Sequence, residues 1–174
     1  RDLAREAGVA LSMVNYHFGS KSGVVCELLD RYFTDIHETL AKALLGTTTV
    51  EEKLRAYVLA MVNVARRQPN ACRLAISESS METPDIADYK AAKIGAFREA
   101  FSIGRILNMF NMPGFRSEIV GPAVAYATLS NFVLGPVLAR IDDEIPGDDA
   151  FYDEYIEHIS NFVLHGVSGF VVAH

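Results

Sequence analysis

Residues 1–22, RDLAREAGVALSMVNYHFGSKS, decide the fold. Leu3, Ala4 and Ala7 stand at helical spacing, and Gly8 closes that first segment as a C′ glycine does. Val9 is the apolar residue of a tight turn, and Leu11 to Phe18 reads as a second short helix. Two helices joined by a short Gly-containing turn are the arrangement that lays a second helix in the major groove of DNA. The run that follows, Asn15-Tyr16-His17-Phe18-Gly19-Ser20-Lys21, makes this pattern specific.

Working outward, the pattern stays helical. Val25, Leu28, Leu29, Tyr32, Ile36 and Leu40 give the i, i+3, i+4 spacing of a long amphipathic helix from about Lys21 to Leu45, with Ser20 as N-cap and Gly46 as C′ stop. Thr49 with Glu52 forms a capping box that opens a helix bearing Leu54, Tyr57, Val58, Met61 and Ala65 on one face and ending before Pro69. A short helix is expected near Ala71 to Ser79. Thr83-Pro84, a cap followed by Pro at the first helical position, starts a helix expected to run to about Phe110. After the turn Asn111-Met112-Pro113-Gly114, a helix from about Ser117 to Asp143 is expected to kink or break at its prolines, and a last helix spans about Asp149 to Gly169. No strand, internal repeat or low-complexity tract is legible.

The first quarter of the chain resembles the TetR/AcrR family of bacterial one-component regulators. The pieces that carry the resemblance are Ala7-Gly8-Val9, Tyr16-His17-Phe18, Gly19-Ser20-Lys21 and the long helix after them. Two positions depart from the family pattern: the chain opens inside the family's second helix, and Asn15 stands where the family usually has tyrosine. The resemblance implies an all-α fold in which a small helix-turn-helix DNA-binding head is followed by a larger helical ligand-binding and dimerisation body. The head with its connecting helix would be residues 1–45 and the body residues 46–174. It also implies that Leu11, Ser12, Met13, Asn15 and His17 sit where the family touches double-stranded DNA, and that Arg1 can reach a base.

Elementary chemistry bears on the same residues. Ser12 and Met13 lie in the first turn of the recognition helix, and the amide of Asn15 can pair bidentately with adenine, or else simply face solvent. His17 and Lys21 are donors suited to phosphate, and Lys21 starts a helix whose dipole favours an anion. Tyr16 and Phe18 are expected to staple the head internally.

Half of the 174 residues are hydrophobic, enough for a sizeable core. The net charge of −6 argues mildly against a DNA partner; residues 1–48 carry five Lys/Arg against six Asp/Glu, leaving −5 to the rest. Local basic clusters, not global charge, bind phosphate. Cys26 and Cys72 have no metal-site or disulfide spacing and no signal peptide is visible, so reduced thiols in a cytoplasmic protein are expected. The 21 residues between Glu118 and Arg140 are uncharged, which is membrane-spanning length. Tyr126, Thr128, Ser130, Asn131 and two Gly-Pro pairs, with no basic flank, point instead to a helix buried at a dimer interface.

That interface is expected to use Val124, Ala127, Thr128, Asn131 and Phe132 of one helix with Ile159, Phe162, Val163, Gly166 and Phe170 of the next, packed as a four-helix bundle in a homodimer. Tyr57, Met61, Phe97, Phe101, Met109, Phe110 and Tyr126 are candidate walls for a small hydrophobic effector, although such stripes are as a rule plain core. No phosphate loop, nucleophile elbow or zinc spacing is present, so neither enzymatic activity nor a cofactor or metal is expected. Two readings follow. One is a homodimeric regulator, a repressor released from a palindromic operator by its ligand; the other is a helical ligand-binding or interaction protein that does not read an operator.

Overall fold

A computed structural model describes Gly8 and residues 10–77, 83–107, 115–141 and 148–171, leaving aside the side chains of Leu11, Val14, Asn15 and residues 167–171. Every element among them is helical: α1 (Leu11–Phe18), α2 (Lys21–Ala43), α3 (Val50–Arg67), α4 (Pro69–Ile76), α5 (Pro84–Phe101), α6 (Ile103–Ile106), α7 (Ser117–Leu138) and α8 (Asp149–Val171).

The turn between α1 and α2 is set by two glycines and a serine. Gly19 takes φ +69°, a left-handed conformation that costs glycine nothing. Ser20 caps α2, its Oγ accepting from the Gly23 amide at 3.1 Å. A side chain at Gly23 would drive its Cβ into the Phe18 carbonyl, so the close approach of the two helices requires glycine there. Gly8 likewise has φ +64°; the segment before it lies outside the described residues.

The body is built around α3. Leu54, Tyr57, Val58, Met61, Val62, Val64 and Ala65 are all buried, more than one face of a helix provides, because α2, α4, α7 and α8 surround it. Each large apolar side chain so buried contributes roughly 1.5–3 kcal/mol. The capping box forms in full: the Glu52 amide donates to Thr49 Oγ1 (3.1 Å), and Glu52 Oε2 accepts from the Thr49 amide (3.0 Å).

Polar ties fix α2 and α8 against this core. Asp35 of α2 accepts from Arg67 Nη2 and Gln68 Nε2, both at 2.8 Å, at the α3–α4 junction. The Tyr155 hydroxyl of α8 donates to the Thr128 carbonyl of α7 at 3.0 Å. Arg66 lies 4.6 Å from the Tyr152 ring centroid and pairs with Asp149.

The helix expected from Thr83 to about Phe110 is divided. α5 ends at Phe101, Ser102 turns extended, and its Oγ accepts from the Arg105 amide to start α6. A serine offers the backbone this alternative to continuing the helix. Residues 108–110 lie outside the described set. In contrast, α7 runs unbroken through Pro122 and Pro136.

Candidate functional site

Two features concentrate the polar and apolar groups that the core does not use. The first is the outer face of α1. Ser12, Met13, Tyr16 and His17 are exposed and recur at i, i+1, i+4, i+5, so they share one face. Lys21, at the first position of α2, is exposed beside them. Tyr16 corrects an expectation: it is 86% exposed, and its ring meets that of His17 edge-on, with ring centroids 5.3 Å apart. α1 has just eight residues and turns a different face to α2, on which Phe18 is half-buried. Arg1 and the side chains of Leu11 and Asn15 lie outside the described residues.

The second feature is a cavity of ≈ 360 Å³ enclosed by α2, α3, α4, α5 and α7. That is within the range of small-molecule pockets. Tyr57 and Met61 of α3, Phe97 and Phe101 of α5 and Tyr126 of α7 line it; Met109 and Phe110 lie outside the described residues. Tyr32 and Ile36 of α2, Leu129 of α7 and Ile103 of α6, not expected from the sequence, also line it. Tyr32 and Ile36 belong to the inward stripe of α2, which the sequence presents as plain core.

Burial shapes the chemistry of the floor. The Tyr32 hydroxyl is buried beside the Cys72 thiol without a formed hydrogen bond, and desolvation pushes its pKa well above the usual phenol range. Burial raises Tyr57 in the same way. Lys90 is 3% exposed; its Nζ donates to the carbonyls of Leu74 (3.1 Å) and Ser77 (2.8 Å), at the end of α4 where the helix dipole favours a cation. Desolvation lowers its pKa.

α5 also couples the cavity to α2. Tyr89 donates to Asp30 at 3.0 Å and Lys93 pairs with the same carboxylate. These bonds hold the Asp30 carboxyl below the usual carboxylate range. Farther along, His37 meets Phe101 edge-on at 5.1 Å, and burial followed by the charge of Lys93 lowers its pKa. Among the described residues, no three His, Cys, Asp or Glu side chains gather as a metal site needs. Cys26 is half-buried, Cys72 buried, and both are free thiols.

The face of α7 proposed for a partner needs correction. Val124, Thr128 and Phe132, with Val163 of α8, are buried within the chain, because α7 turns them onto α3, α4 and α8. Ala127, Asn131 and Ile159 are half-buried, Phe162 and Gly166 are exposed, and the Phe170 side chain lies outside the description. The open face of α7 carries Ile119, Tyr126, Val133, Leu134 and Val137. This helix, of mean hydropathy 1.3, is long and apolar enough to cross a membrane, and only 22% of its apolar stretch is buried within the chain.

No protein-family model matches the chain, and no curated protein matches it by sequence. Among solved structures, that of the TetR family transcriptional regulator PfmR from Thermus thermophilus matches with a TM-score of 0.69 and 17% identity, covering 94% of this chain and 86% of that one. The chain therefore has the all-α fold of a TetR family regulator, as its opening motif implies. At this identity the likeness is one of fold.

Proposed function

We propose that this chain is a DNA-binding transcriptional regulator that works as a cytoplasmic homodimer: a repressor that leaves a palindromic operator when a small, mostly apolar ligand occupies the body. The observation that carries the reading is the joining of two sites by one helix within a TetR-like fold. α2 begins at Lys21, next to the exposed face of α1, and supplies Tyr32 and Ile36 to the cavity. In this reading Ser12, Met13, Asn15, Tyr16, His17 and Lys21, with Leu11 and Arg1, meet double-stranded DNA, α1 lying in the major groove. Tyr16 joins the contacts expected from sequence because it is exposed on the same face. The uncovered apolar stripe of α7, together with Phe162 at 67% exposure, supports pairing with a second copy.

A ligand releases DNA only through different affinities for two conformers. The ligand-bound conformer must misplace the two recognition helices, which a palindrome requires about one DNA turn apart. The test is a gel shift with the DNA upstream of the chain's own coding region, against scrambled DNA of equal length. Salt-sensitive binding with a preference of a hundredfold or so for the upstream DNA is expected, within the usual specificity range. Equal affinity for both DNAs would remove the operator-reading function.

A further inference from the structure

The chain is acidic overall, with a net charge of −6, yet none of the described residues lining its cavity is Asp or Glu, and two are cations. Both belong to the stripe of α5 that faces the cavity: Lys90, Ile94, Phe97, Arg98 and Phe101 recur at i, i+4, i+7, i+8 and i+11. Lys90 stands at the buried end and Arg98, exposed, about 12 Å farther along the helix. Tyr32, Tyr57, Met61 and Leu129 form a buried apolar floor between them.

Arg98 is placed to receive an anion. Among the described residues its guanidinium makes no hydrogen bond and no ion pair. The carboxylate whose field it reaches, Glu118, is already paired with Arg116. Ser102 and Ser117 also line the cavity, at the adjoining helix ends. A planar guanidinium with free donors at the mouth of an apolar cavity suits a compact planar anion, which it can grip bidentately.

Resting on the regulator reading above, the geometry points to an amphipathic anion as the ligand: an apolar body on the Tyr32–Tyr57–Met61–Leu129 floor and a carboxylate-like head on Arg98 at the rim. Lys90, fixed by carbonyls at the far end, adds positive potential along the same wall. A cationic or a neutral amphiphile of the same length lacks the head contact.

The test is isothermal titration of the whole chain with decanoate, decanol and decyltrimethylammonium, which share one tail and differ in head. Decanoate is expected to bind about tenfold or more tightly than the other two, the scale of one charge-assisted contact. Arg98→Gln should erase that preference while leaving decanol binding unchanged, and Arg98→Lys should keep part of it. Arg98 is exposed, so these variants should melt with the wild type. Equal binding of decanoate and decanol, or preference for the cation, overturns the anionic head but leaves a hydrophobic-ligand site standing. A decanoate preference that survives Arg98→Gln overturns the assignment to Arg98. If no probe binds, the cavity is not a ligand site, and both this proposal and the ligand-controlled part of the function fail together.

Discussion

A single hydroxyl separates core from site on α2. Tyr32 carries a buried oxygen without a formed hydrogen bond, and its ring forms cavity floor. Removing such a group deletes a desolvation penalty and leaves the packing. Tyr32→Phe is expected to be as stable as the wild type or up to about 1–2 kcal/mol more stable by urea unfolding. A loss of more than about 1 kcal/mol would mean that the hydroxyl has a partner after all. In the proposed DNA-binding reading, Asn15 reads a base and Lys21 grips phosphate. Asn15→Ala should cost on the order of 1–3 kcal/mol on one sequence and relax a single base position, whereas Lys21→Ala should weaken all sequences alike and flatten the salt dependence. Binding measured across an operator library at two salt concentrations distinguishes them; unchanged sequence preference in Asn15→Ala removes its base-reading role.

At the level of elements, the joints are sharper than the helices. Gly23→Ala would push a methyl group into the Phe18 carbonyl, and backbone cannot move as a flexible side chain would. The expected result is a displaced α1 with an intact body: DNA binding falls by an order of magnitude or more, about the 1.4 kcal/mol that a tenfold change represents, while the melting temperature hardly moves. A variant that binds normally would show that the joint tolerates opening. The α3 cap answers to pH. Backbone amides of Thr49 and Thr48 hold the Glu52 carboxyl down from 4.5 to about 2. Since the folded value is the depressed one, the cap contributes in full above pH 4.5 and is lost as pH falls toward 2. Thermal midpoints of wild type and Glu52→Gln should therefore differ most at neutral pH and converge in strong acid; a constant gap contradicts the capping role. Asp30, tied by Lys93 and Tyr89, pulls in the same direction.

These joints also explain what the sequence disclosed. Caps and turns are local, so Ser20, Gly46, Thr49 with Glu52, and Thr83-Pro84 marked their helices within a residue or two. Ser102 did not announce a break, because an isolated serine also sits inside helices with its hydroxyl bonded back to the preceding turn. The cavity walls on α3 and α5 were named from aromatic and Met spacing, but Tyr32 and Ile36 arrive from far along the chain. Lys90 and Arg98 carry no such signal, because a charged residue on a helix ordinarily faces solvent. The outward face of α7 was unreadable for a physical reason: the helix is apolar all round, with Val124, Thr128 and Phe132 inward and Ile119, Tyr126 and Val133 outward, so no pattern distinguishes its sides.

At the scale of the whole molecule, that open face of α7 leaves Ile119, Tyr126, Val133, Leu134 and Val137 uncovered on one helix, and a stable homodimer usually covers about 800 Å² or more per partner. Val133→Glu combined with Val137→Glu places charges in its middle without touching the core, as both positions are exposed. Light scattering at micromolar concentration should give a dimer for the wild type and a monomer for the double variant. The variant should keep its helical content and lose operator affinity, since two half-sites must be engaged together. A monomeric wild type, or a dimeric double variant, would rule out this face.

The paired anchoring of α2 gives the helix the form of a lever. Asp35 is pinned to the α3–α4 junction, while Asp30 is gripped by α5, the helix that walls the cavity. With Asp35 as fulcrum, the grip at Asp30 acts on an arm of about 7.5 Å and Lys21 ends an arm of about 21 Å, at 1.5 Å per residue. A rigid helix therefore multiplies displacement about threefold, and 1 Å of movement in α5 becomes about 3 Å at Lys21. That is nearly the spacing of about 3.4 Å between successive bases, so in the proposed regulator a ligand that shifted one wall by less than an atom's width would move the tip by about one rung of the double helix.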